Sequence, residues 1–235
     1  MLSGNFEKNE MPKWVILPFE NPDLYSNKEF LTYLENTSQY KTLIIGDYKN
    51  TKIGLLSSKF GASAIAMTVD ILALAGVHGI IGIGFCGGLK GDLKSGEFII
   101  PEGAVRDEGA SEAYVPKCYP AVADAEVVSA LQKAAREANK NVELGVVWST
   151  DGILRETDEK IQYWKERNVL AVDMETSSFL TVARTLGIKA GNILVVSDNP
   201  ADGRQADYKA LHEGYQVAVK LVLDAAAALT KGNTL

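Results

Sequence analysis

The chain has 235 residues, 46% hydrophobic and 23% charged, a composition typical of a globular domain rather than of a disordered or fibrous protein. Its formal net charge of -6 argues against a nucleic-acid groove, which normally carries an excess of Lys and Arg. No signal-peptide segment is evident, and no run approaches the ~20 apolar residues that span a bilayer. We therefore expect a single domain over residues 1–235, in the cytoplasm, with no nucleic-acid or membrane partner.

The cysteines and histidines point away from metal and disulfide chemistry. Cys86 and Cys118 are far apart in the sequence, which favours buried or inert thiols over a disulfide or a thiolate site. His78 and His212 are the histidines of the chain, and neither has a second His or Cys at ligand spacing. We expect no metal and no cofactor.

The first half of the chain predicts a strand, a hairpin, a helix and a further strand. Short β-rich runs predict strands at Trp14–Leu17, Leu43–Asp47 and Ile53–Ser57, the last two joined as a hairpin. Apolar spacing predicts a helix over Ala64–Ala75, followed by a buried strand over Gly79–Ile83 that ends in glycines.

The second half alternates helices with strands. Two short strands are predicted at Phe98–Pro101 and Ala104–Val105. Predicted helices and strands then follow in the order Ala125–Asn139 (helix), Val142–Ser149 (strand), Asp158–Arg167 (helix, capped by Thr157), Met174–Leu186 (helix), Lys189–Val196 (strand) and Asp207–Leu229 (helix). This alternation indicates an α/β fold with a mixed central sheet between helices, and ligand sites where strands end in glycine-rich or polar loops.

A glycine-rich run, Gly82–Gly88, follows the predicted buried strand. Glycines there allow a ligand or another backbone to approach closely. The run does not match the dinucleotide fingerprint or a P-loop, because no helix or P-loop lysine follows it. By itself it indicates tight packing at a strand end.

Carboxylates occur at two further strand and helix ends. Asp173 and Glu175 stand at the start of a predicted helix, where acids commonly cap free N–H groups, although an acid facing a cleft could instead bind a sugar diol. Asp198 emerges from the end of the strand that includes Ile193–Val196, the usual place for a catalytic acid in an open α/β sheet. An Asx turn before Pro200 is the structural alternative for Asp198.

Taken in order, five segments resemble the nucleoside phosphorylase family, which includes hexameric purine nucleoside phosphorylases, uridine phosphorylases and related nucleosidases. They are Ile83–Leu89, Ser95–Ser111, Tyr119–Asp124, Val172–Glu175 and Val196–Asp198. The resemblance covers nearly the whole chain. It implies a mixed, partly barrel-like sheet flanked by helices, and a homodimer or a trimer of dimers in which subunits share active-site residues.

The resemblance also implies roles for particular residues. Met174 and Glu175 would contact ribose, with the Glu175 carboxylate holding the sugar hydroxyls, and Asp198, preceded by Ser197, would protonate a purine leaving group. The glycosidic bond would then break through an oxocarbenium-like ribosyl that phosphate or water attacks. Further substrate-binding candidates in the same segments are Asp173, Phe85, Cys86 and Gly87.

The chain departs from this family at the phosphate site. Phosphorylases normally hold phosphate with arginines at three positions, and here Leu24 and Gly82 stand at two of them, with Lys41 near the third. Phe85 replaces the Ser or Thr that donates a hydrogen bond to phosphate, and a phenyl ring has no such donor. Arg204 is a candidate to replace the arginine that usually partners the catalytic acid.

Three interpretations of function follow. Phosphorolysis of a nucleoside to free base and ribose 1-phosphate is the leading one. Hydrolysis is its alternative: in the nucleosidase branch of the family an acidic residue in the loop after the first strand activates water, and by this resemblance Glu20 lies close to the corresponding place. A non-catalytic nucleoside-binding relative is the third. A purine is favoured over uridine, because the uracil-reading Gln and Arg have no counterpart around Ile153–Glu156.

Overall fold

The computed structural model describes residues 11–19 and 27–232. The strands are β1 (Trp14–Pro18), β2 (Glu35–Tyr40), β3 (Leu43–Tyr48), β4 (Thr51–Leu56), β5 (Gly79–Gly88), β6 (Phe98–Asp107), β7 (Ala121–Val122), β8 (Glu143–Thr150), β9 (Ala171–Asp173) and β10 (Lys189–Asp198). The helices are α1 (Lys28–Leu31), α2 (Ala62–Ala75), α3 (Ala125–Glu137), α4 (Asp158–Lys165), α5 (Thr176–Thr185) and α6 (Tyr208–Gly232), with 3-10 turns at Ala110–Ala113 and Ile153–Arg155.

The strands form one mixed sheet that closes on itself at one end. Its order is β10, β6, β8, β9, β5, β1, β4, β3, β2, with β7 added to β6. Because β10 pairs with β5 as well as with β6, the strands β5, β9, β8, β6 and β10 form a closed ring. The expected mixed sheet, partly barrel-like and flanked by helices, is confirmed.

Helices cover both faces of the sheet. The apolar sides of α3 and α6 pack against one face, over a core that includes Ile81, Ile193 and Val222. α2 and α5 pack against the other face, over a core that includes Ile80 and Phe179. β5 and β10 carry buried side chains toward both layers, which explains their nearly continuous apolar sequences. Their carboxyl ends are therefore held rigidly between two layers of helices.

The strand prediction differs from the structure in several places, and the short strands β7 and β9 were not predicted. β5 does not stop before the glycines but continues to Gly88, because it pairs with β1, β10 and β9 along its length. The two strands expected around Phe98–Val105 are a single strand, β6, with a register shift between Pro101 and Gly103. β2 was not predicted, since its sequence is polar and largely exposed at the sheet edge.

The predicted helices are present with small shifts. α5 begins at Thr176 rather than at Met174, which leaves Met174 and Glu175 in the turn before the helix. α4 is capped by Thr157 as expected, whose hydroxyl accepts a hydrogen bond from the Lys160 N–H. Among the helices that the structure describes, none is long and apolar enough to cross a membrane.

Candidate active site

A cavity of about 320 Å³ lies where the carboxyl ends of β5 and β10 meet the turn before α5. Cys86 and Gly87 of β5 line it, together with Asp198 of β10 and Met174 and Glu175 of the turn. Its volume is at the lower end of the range for small-molecule sites. The carboxyl ends of neighbouring parallel strands are also where α/β folds bind ligands. The fold thus brings the separate sequence motifs to one place.

Asp173 has the capping role that the sequence left open. Its Oδ2 accepts a hydrogen bond from the Thr176 N–H at 2.9 Å, and its Oδ1 accepts one from the Ser149 hydroxyl at 2.5 Å. Burial raises the pKa of the Asp173 carboxyl, and the hydrogen bonds from Ser149 and Thr176 oppose that rise. Asp173 also lines the cavity, so it fixes the wall of the site as well as the start of α5.

Glu175 behaves differently, although it stands directly before α5. Its side chain makes no capping bond to that helix. Instead, Oε1 accepts a hydrogen bond from the Gly61 N–H at 2.6 Å, and Oε2 accepts one from the Met174 N–H at 3.2 Å. Since Gly61 is the N-cap of α2, the carboxylate lies between the N-terminal ends of two helices, whose dipoles favour a negative charge there.

Asp198 and Ser197 form the second polar group of the site. The Ser197 hydroxyl lies 2.5 Å from Asp198 Oδ1 and 3.0 Å from the Cys86 carbonyl oxygen. A hydroxyl has one proton and can also accept, so Ser197 can donate to an ionised Asp198, or donate to Cys86 and accept from a protonated Asp198. Either protonation state of Asp198 is thus satisfied by the same geometry, as a general acid requires.

The Asx turn expected at Asp198 occurs one residue later. Asn199 Oδ1 accepts a hydrogen bond from the Ala201 N–H at 3.1 Å, and its Nδ2 donates to the carbonyl oxygens of Lys90 and Leu93. Asn199 therefore shapes the loop before Pro200, and the Asp198 side chain is left facing the cavity.

Arg204 does not line the cavity. Its guanidinium donates to the carbonyl oxygens of Leu93 and Gly91, at 3.0 and 2.9 Å, and pairs with Asp202 at 2.7 Å. These bonds hold the loop after β5 against the loop after β10. The structure thus gives Arg204 a loop-anchoring position in place of the expected partnership with Asp198.

Aromatic rings occupy one side of the cavity. Phe19, directly after β1, lies against β5 so closely that a Cβ on Gly82 would be 2.3 Å from the Phe19 Cζ. Phe85 lines the cavity and packs against Tyr215 of α6, with ring centroids 5.3 Å apart. By the family resemblance, Gly82 and Phe85 are two of the phosphate-binding positions. An aromatic ring occupies both positions: the Phe19 ring fills the space beside Gly82, and Phe85 is the other.

Cys86 lines the cavity, but its thiol is not suited to act as a nucleophile. Burial raises the pKa of its thiol well above the usual value, and the negative charges of Asp173 and Asp198 raise it further. A neutral, buried thiol is a poor nucleophile. Of the two thiols expected to be buried or inert, Cys86 is buried, and Cys118 is a free, exposed thiol.

Glu156 is a cavity residue that the sequence did not single out. It follows the 3-10 turn Ile153–Arg155 and lines the cavity together with Ile153 and Asp198. Burial raises the pKa of its carboxyl to about 7, and the negative charge of Asp198 adds to the rise. No spacing rule marks this residue, because only the folding of the loop onto the end of β10 brings it to the site.

Glu20, like Leu24, lies outside the described residues. Among residues 11–19 and 27–232, no group of three or more His, Cys, Asp or Glu side chains is arranged to hold a metal ion.

Comparison with known proteins identifies the family. The model of the phosphorylase superfamily matches residues 18–231. This chain belongs to the phosphorylase superfamily. Among superfamily relatives, it is 30% identical to guanosine phosphorylase from Halorubrum lacusprofundi, over 81% of this chain and 82% of that protein. It is also 30% identical to uridine phosphorylase from Haemophilus influenzae, over 86% and 84% of the two chains.

Solved structures of the superfamily share the fold. Uridine phosphorylase from Vibrio fischeri superposes with a TM-score of 0.86 at 30% identity, covering 96% of this chain and 94% of that one. Purine nucleoside phosphorylase from Toxoplasma gondii gives a TM-score of 0.85 at 25% identity, covering 97% and 95%. The resemblance inferred from the five sequence segments is confirmed.

Proposed function

We propose that this chain is an enzyme that cleaves the N-glycosidic bond of a nucleoside with phosphate, giving the free base and ribose 1-phosphate. The observation that carries the proposal is the meeting of Glu175 and Asp198 in one cavity at the ends of β5 and β10. The superfamily relatives, which are named for guanosine, uridine and purine nucleosides, support the same chemistry.

In this proposal, Glu175 and Met174 bind the ribose and Asp198 acts on the base. The carboxylate of Glu175 is already oriented by backbone N–H groups, so it can accept hydrogen bonds from the sugar hydroxyls with little reorganisation. Asp198 donates a proton to the departing purine, while Ser197 stabilises the acid in either protonation state. The ribosyl then develops positive charge beside the Glu175 carboxylate, which stabilises that charge electrostatically.

Hydrolysis is the second candidate, and the aromatic side of the cavity favours it. Phe19 fills the space that a side chain at residue 82 would need, and Phe85 offers no hydrogen-bond donor to an anion. An apolar wall stabilises phosphate poorly, whereas a small neutral water needs no cation. The same wall also suits the third interpretation, a relative that binds nucleosides without cleaving them.

One assay separates the three. Dialysed enzyme is incubated with a panel of purine and pyrimidine nucleosides, with and without phosphate, and free base, ribose and ribose 1-phosphate are quantified. Phosphorolysis requires phosphate and yields ribose 1-phosphate, whereas hydrolysis yields ribose without phosphate. If nucleosides bind in equilibrium dialysis but no base is released under either condition, the chain is a binding protein and the enzymatic proposal is wrong.

The proposal includes a homodimer or a trimer of dimers, located in the cytoplasm. The oligomer is supported by three exposed apolar side chains, Phe60 just before α2 and Met67 and Leu74 on it, which are 60%, 61% and 83% exposed. Met67 and Leu74 are seven residues apart and therefore lie on the same side of the helix, and Phe60 extends this row beyond the start of α2. Because Phe60 also lines the cavity, an interface over this row would reach the active site.

A further inference from the structure

A buried acid linked to the cavity wall takes no part in the chemistry proposed above. Glu108 directly follows β6 and is 3% exposed. Its carboxylate accepts hydrogen bonds from the Ser111 N–H and the Ser177 hydroxyl, both at 3.0 Å, and from the Ser111 hydroxyl. Burying a carboxylate is costly, and these three bonds offset that cost. What Glu108 does is therefore decided by the two serines that donate to it.

Through Ser111, Glu108 is anchored to a fixed loop. The Ser111 hydroxyl, which donates to Glu108, accepts a hydrogen bond from Nε of the buried Arg106 at 2.9 Å. The positive charge of Arg106 thus lies one hydroxyl away from the carboxylate. The other guanidinium nitrogens donate, at 2.7–3.1 Å, to the backbone carbonyl oxygens of Val115, Pro116 and Tyr119. Because a guanidinium is planar and its donors point in fixed directions, these bonds leave the anchor of Glu108 little freedom.

Through Ser177, Glu108 holds the first turn of α5. The Ser177 hydroxyl donates to Glu108, and the Ser177 N–H donates to the Ser149 hydroxyl oxygen at 2.9 Å. Ser149 in turn donates to Asp173, the acid that caps α5 and lines the cavity. Two buried acids, Glu108 and Asp173, therefore fix the start of α5 through separate hydrogen bonds.

We propose that Glu108 is a positioning residue: through the Ser177 hydroxyl it sets the orientation of the first turn of α5, and so places the Glu175 carboxylate for the sugar hydroxyls. This inference rests on the proposed function, in which Glu175 binds the sugar. Glu175 stands two residues before Ser177, and its Oε1 lies 2.6 Å from the Gly61 nitrogen. Because hydrogen bonds weaken steeply with distance and angle, a small rotation of this turn would misdirect the carboxylate.

The test uses nucleosides with and without the sugar hydroxyls that Glu175 would bind. Equilibrium dialysis without phosphate gives the affinities of 9-deazainosine and pseudouridine and of their 2′,3′-dideoxy derivatives. The carbon–carbon glycosidic bonds of these probes resist cleavage, so binding is measured without turnover. For at least one base, the wild type should bind the ribose form at least about tenfold more tightly than the dideoxy form, the size of a charge-assisted hydrogen bond.

Ser177→Ala removes the bond from Glu108 to α5 and leaves both bonds between Glu108 and Ser111. Ala is a better helix former than Ser, which favours folding of the variant. The preference for ribose over dideoxyribose should fall roughly three- to tenfold, as expected for one hydrogen bond, because the ribose form alone loses affinity. Thr181→Val is the matched control, since Thr181 lies on the same helix and its buried hydroxyl has no hydrogen-bond partner among the described residues. It should keep the wild-type preference.

The outcomes separate positioning of Glu175 from support of the fold. A Ser177→Ala variant that keeps the wild-type preference, or that binds both sugar forms more weakly by the same factor, would overturn the inference. So would a wild type that binds neither probe or binds both sugar forms alike. If Ser177→Ala does not fold, Ser177→Cys gives the same comparison, since a thiol is only a weak donor. Failure of every nucleoside to release base would sink the proposed cleavage, yet binding of these uncleavable probes would still decide the role of Glu108.

Discussion

Replacing Glu175 with Gln preserves the shape of the side chain and removes its charge. The amide oxygen can still accept the short hydrogen bond from the Gly61 N–H, whereas the amide NH2 would face the Met174 N–H at the longer contact, so the variant should fold with some loss of stability. A charge-assisted hydrogen bond to ribose contributes about 1.5–3 kcal/mol, so kcat/KM should fall by roughly 10- to 150-fold. Steady-state kinetics and thermal melting of the same preparation measure the two effects.

Asp173→Asn is the matched control for Glu175→Gln. Asp173 accepts hydrogen bonds from the Ser149 hydroxyl and the Thr176 N–H. In the Asn variant an amide NH2 replaces one of the two acceptor oxygens, so it would face one of these donors. That variant should therefore lose about 1–3 kcal/mol of stability. If Glu175→Gln instead melts at a lower temperature with unchanged kinetics, its carboxylate is structural.

Asp198→Asn tests whether the site protonates a purine. A neutral purine is a poor leaving group, and general acids typically contribute on the order of 10²–10⁴-fold. Guanosine or inosine should slow by that factor, whereas 7-methylguanosine, whose base already carries a positive charge, should be nearly spared. Initial rates for both kinds of nucleoside give the contrast. Asn199→Ala is the control, because it disturbs the loop and should slow both kinds of nucleoside alike. If Asp198→Asn also slows both kinds equally, Asp198 only shapes the loop and does not protonate the base.

The contact of Phe19 with Gly82 can be tested by a double-mutant cycle. Gly82→Ala inserts a methyl group into the Phe19 ring and should cost about 1–3 kcal/mol, a typical overpacking penalty. In a Phe19→Ala background, which itself costs about 3–5 kcal/mol, the same change should cost less, although the Asn192 Cβ, 2.8 Å from the added methyl group, would leave part of the penalty in place. Urea denaturation measures all four proteins. Strict additivity would mean that the ring does not occupy this space.

At the residue scale, the sequence predicted which positions form the site better than it predicted what each does. Asp173, Glu175 and Asp198 were all singled out, and all line one cavity. Whether an acid caps a helix or faces the cavity depends on which backbone N–H lies within about 3 Å, and adjacent residues differ in this respect. Asp173 caps while Glu175 does not, and Asn199 makes the Asx turn in place of Asp198.

At the scale of elements, close backbone contact between α6 and the loop before β6 leads to a prediction opposite to helix propensity. Ala in a helix interior is normally about 1 kcal/mol more favourable than Gly. A Cβ on Gly214 would lie 2.6 Å from the Gly96 carbonyl oxygen, however, and that backbone cannot move as a side chain can. Gly214→Ala should thus lower stability by about 1–3 kcal/mol in urea denaturation.

Gly232→Ala is the control on the same helix, because no atom of the described residues lies within 4 Å of a Cβ there. It should change stability by no more than about 0.5 kcal/mol. A Gly214→Ala variant that is more stable than the wild type would show that α6 is not held this close to Gly96.

Elements were predictable where local pattern and tertiary environment agree. The apolar run of β10 and the hairpin of β3 and β4 were recognised from the sequence. The structure confirms that β10 is a buried strand and that β3 pairs with β4. β2 was missed because an exposed edge strand needs no apolar residues, so its polar sequence carries no alternation. β5 continues through its glycines because neighbouring strands, rather than residue preference, determine where pairing ends.

At the scale of the whole molecule, the exposed row along α2 is the feature that a lone subunit does not explain. Met67 and Leu74 are large apolar residues on an otherwise well-packed helix, and Phe60 continues the row to the cavity. The single-domain organisation and the oligomer both stay predictions from sequence and family. Association depends on how two surfaces fit, which neither composition nor spacing encodes.

The last prediction is that disrupting this row changes both mass and activity. Wild-type protein should scatter light as a multiple of 25.4 kDa at micromolar concentration, and the pair Met67→Glu with Leu74→Glu should reduce that mass. Buried glutamates facing their own symmetry mates would lack partners, and unpaired buried charge is strongly unfavourable. Since the row reaches the cavity through Phe60, base release should also fall although no catalytic side chain is altered.

Tyr208→Glu, 77% exposed at the start of α6, is the control and should keep wild-type mass and activity. A monomeric wild type would refute the oligomer, and a monomeric but fully active double variant would show that each subunit holds a complete site.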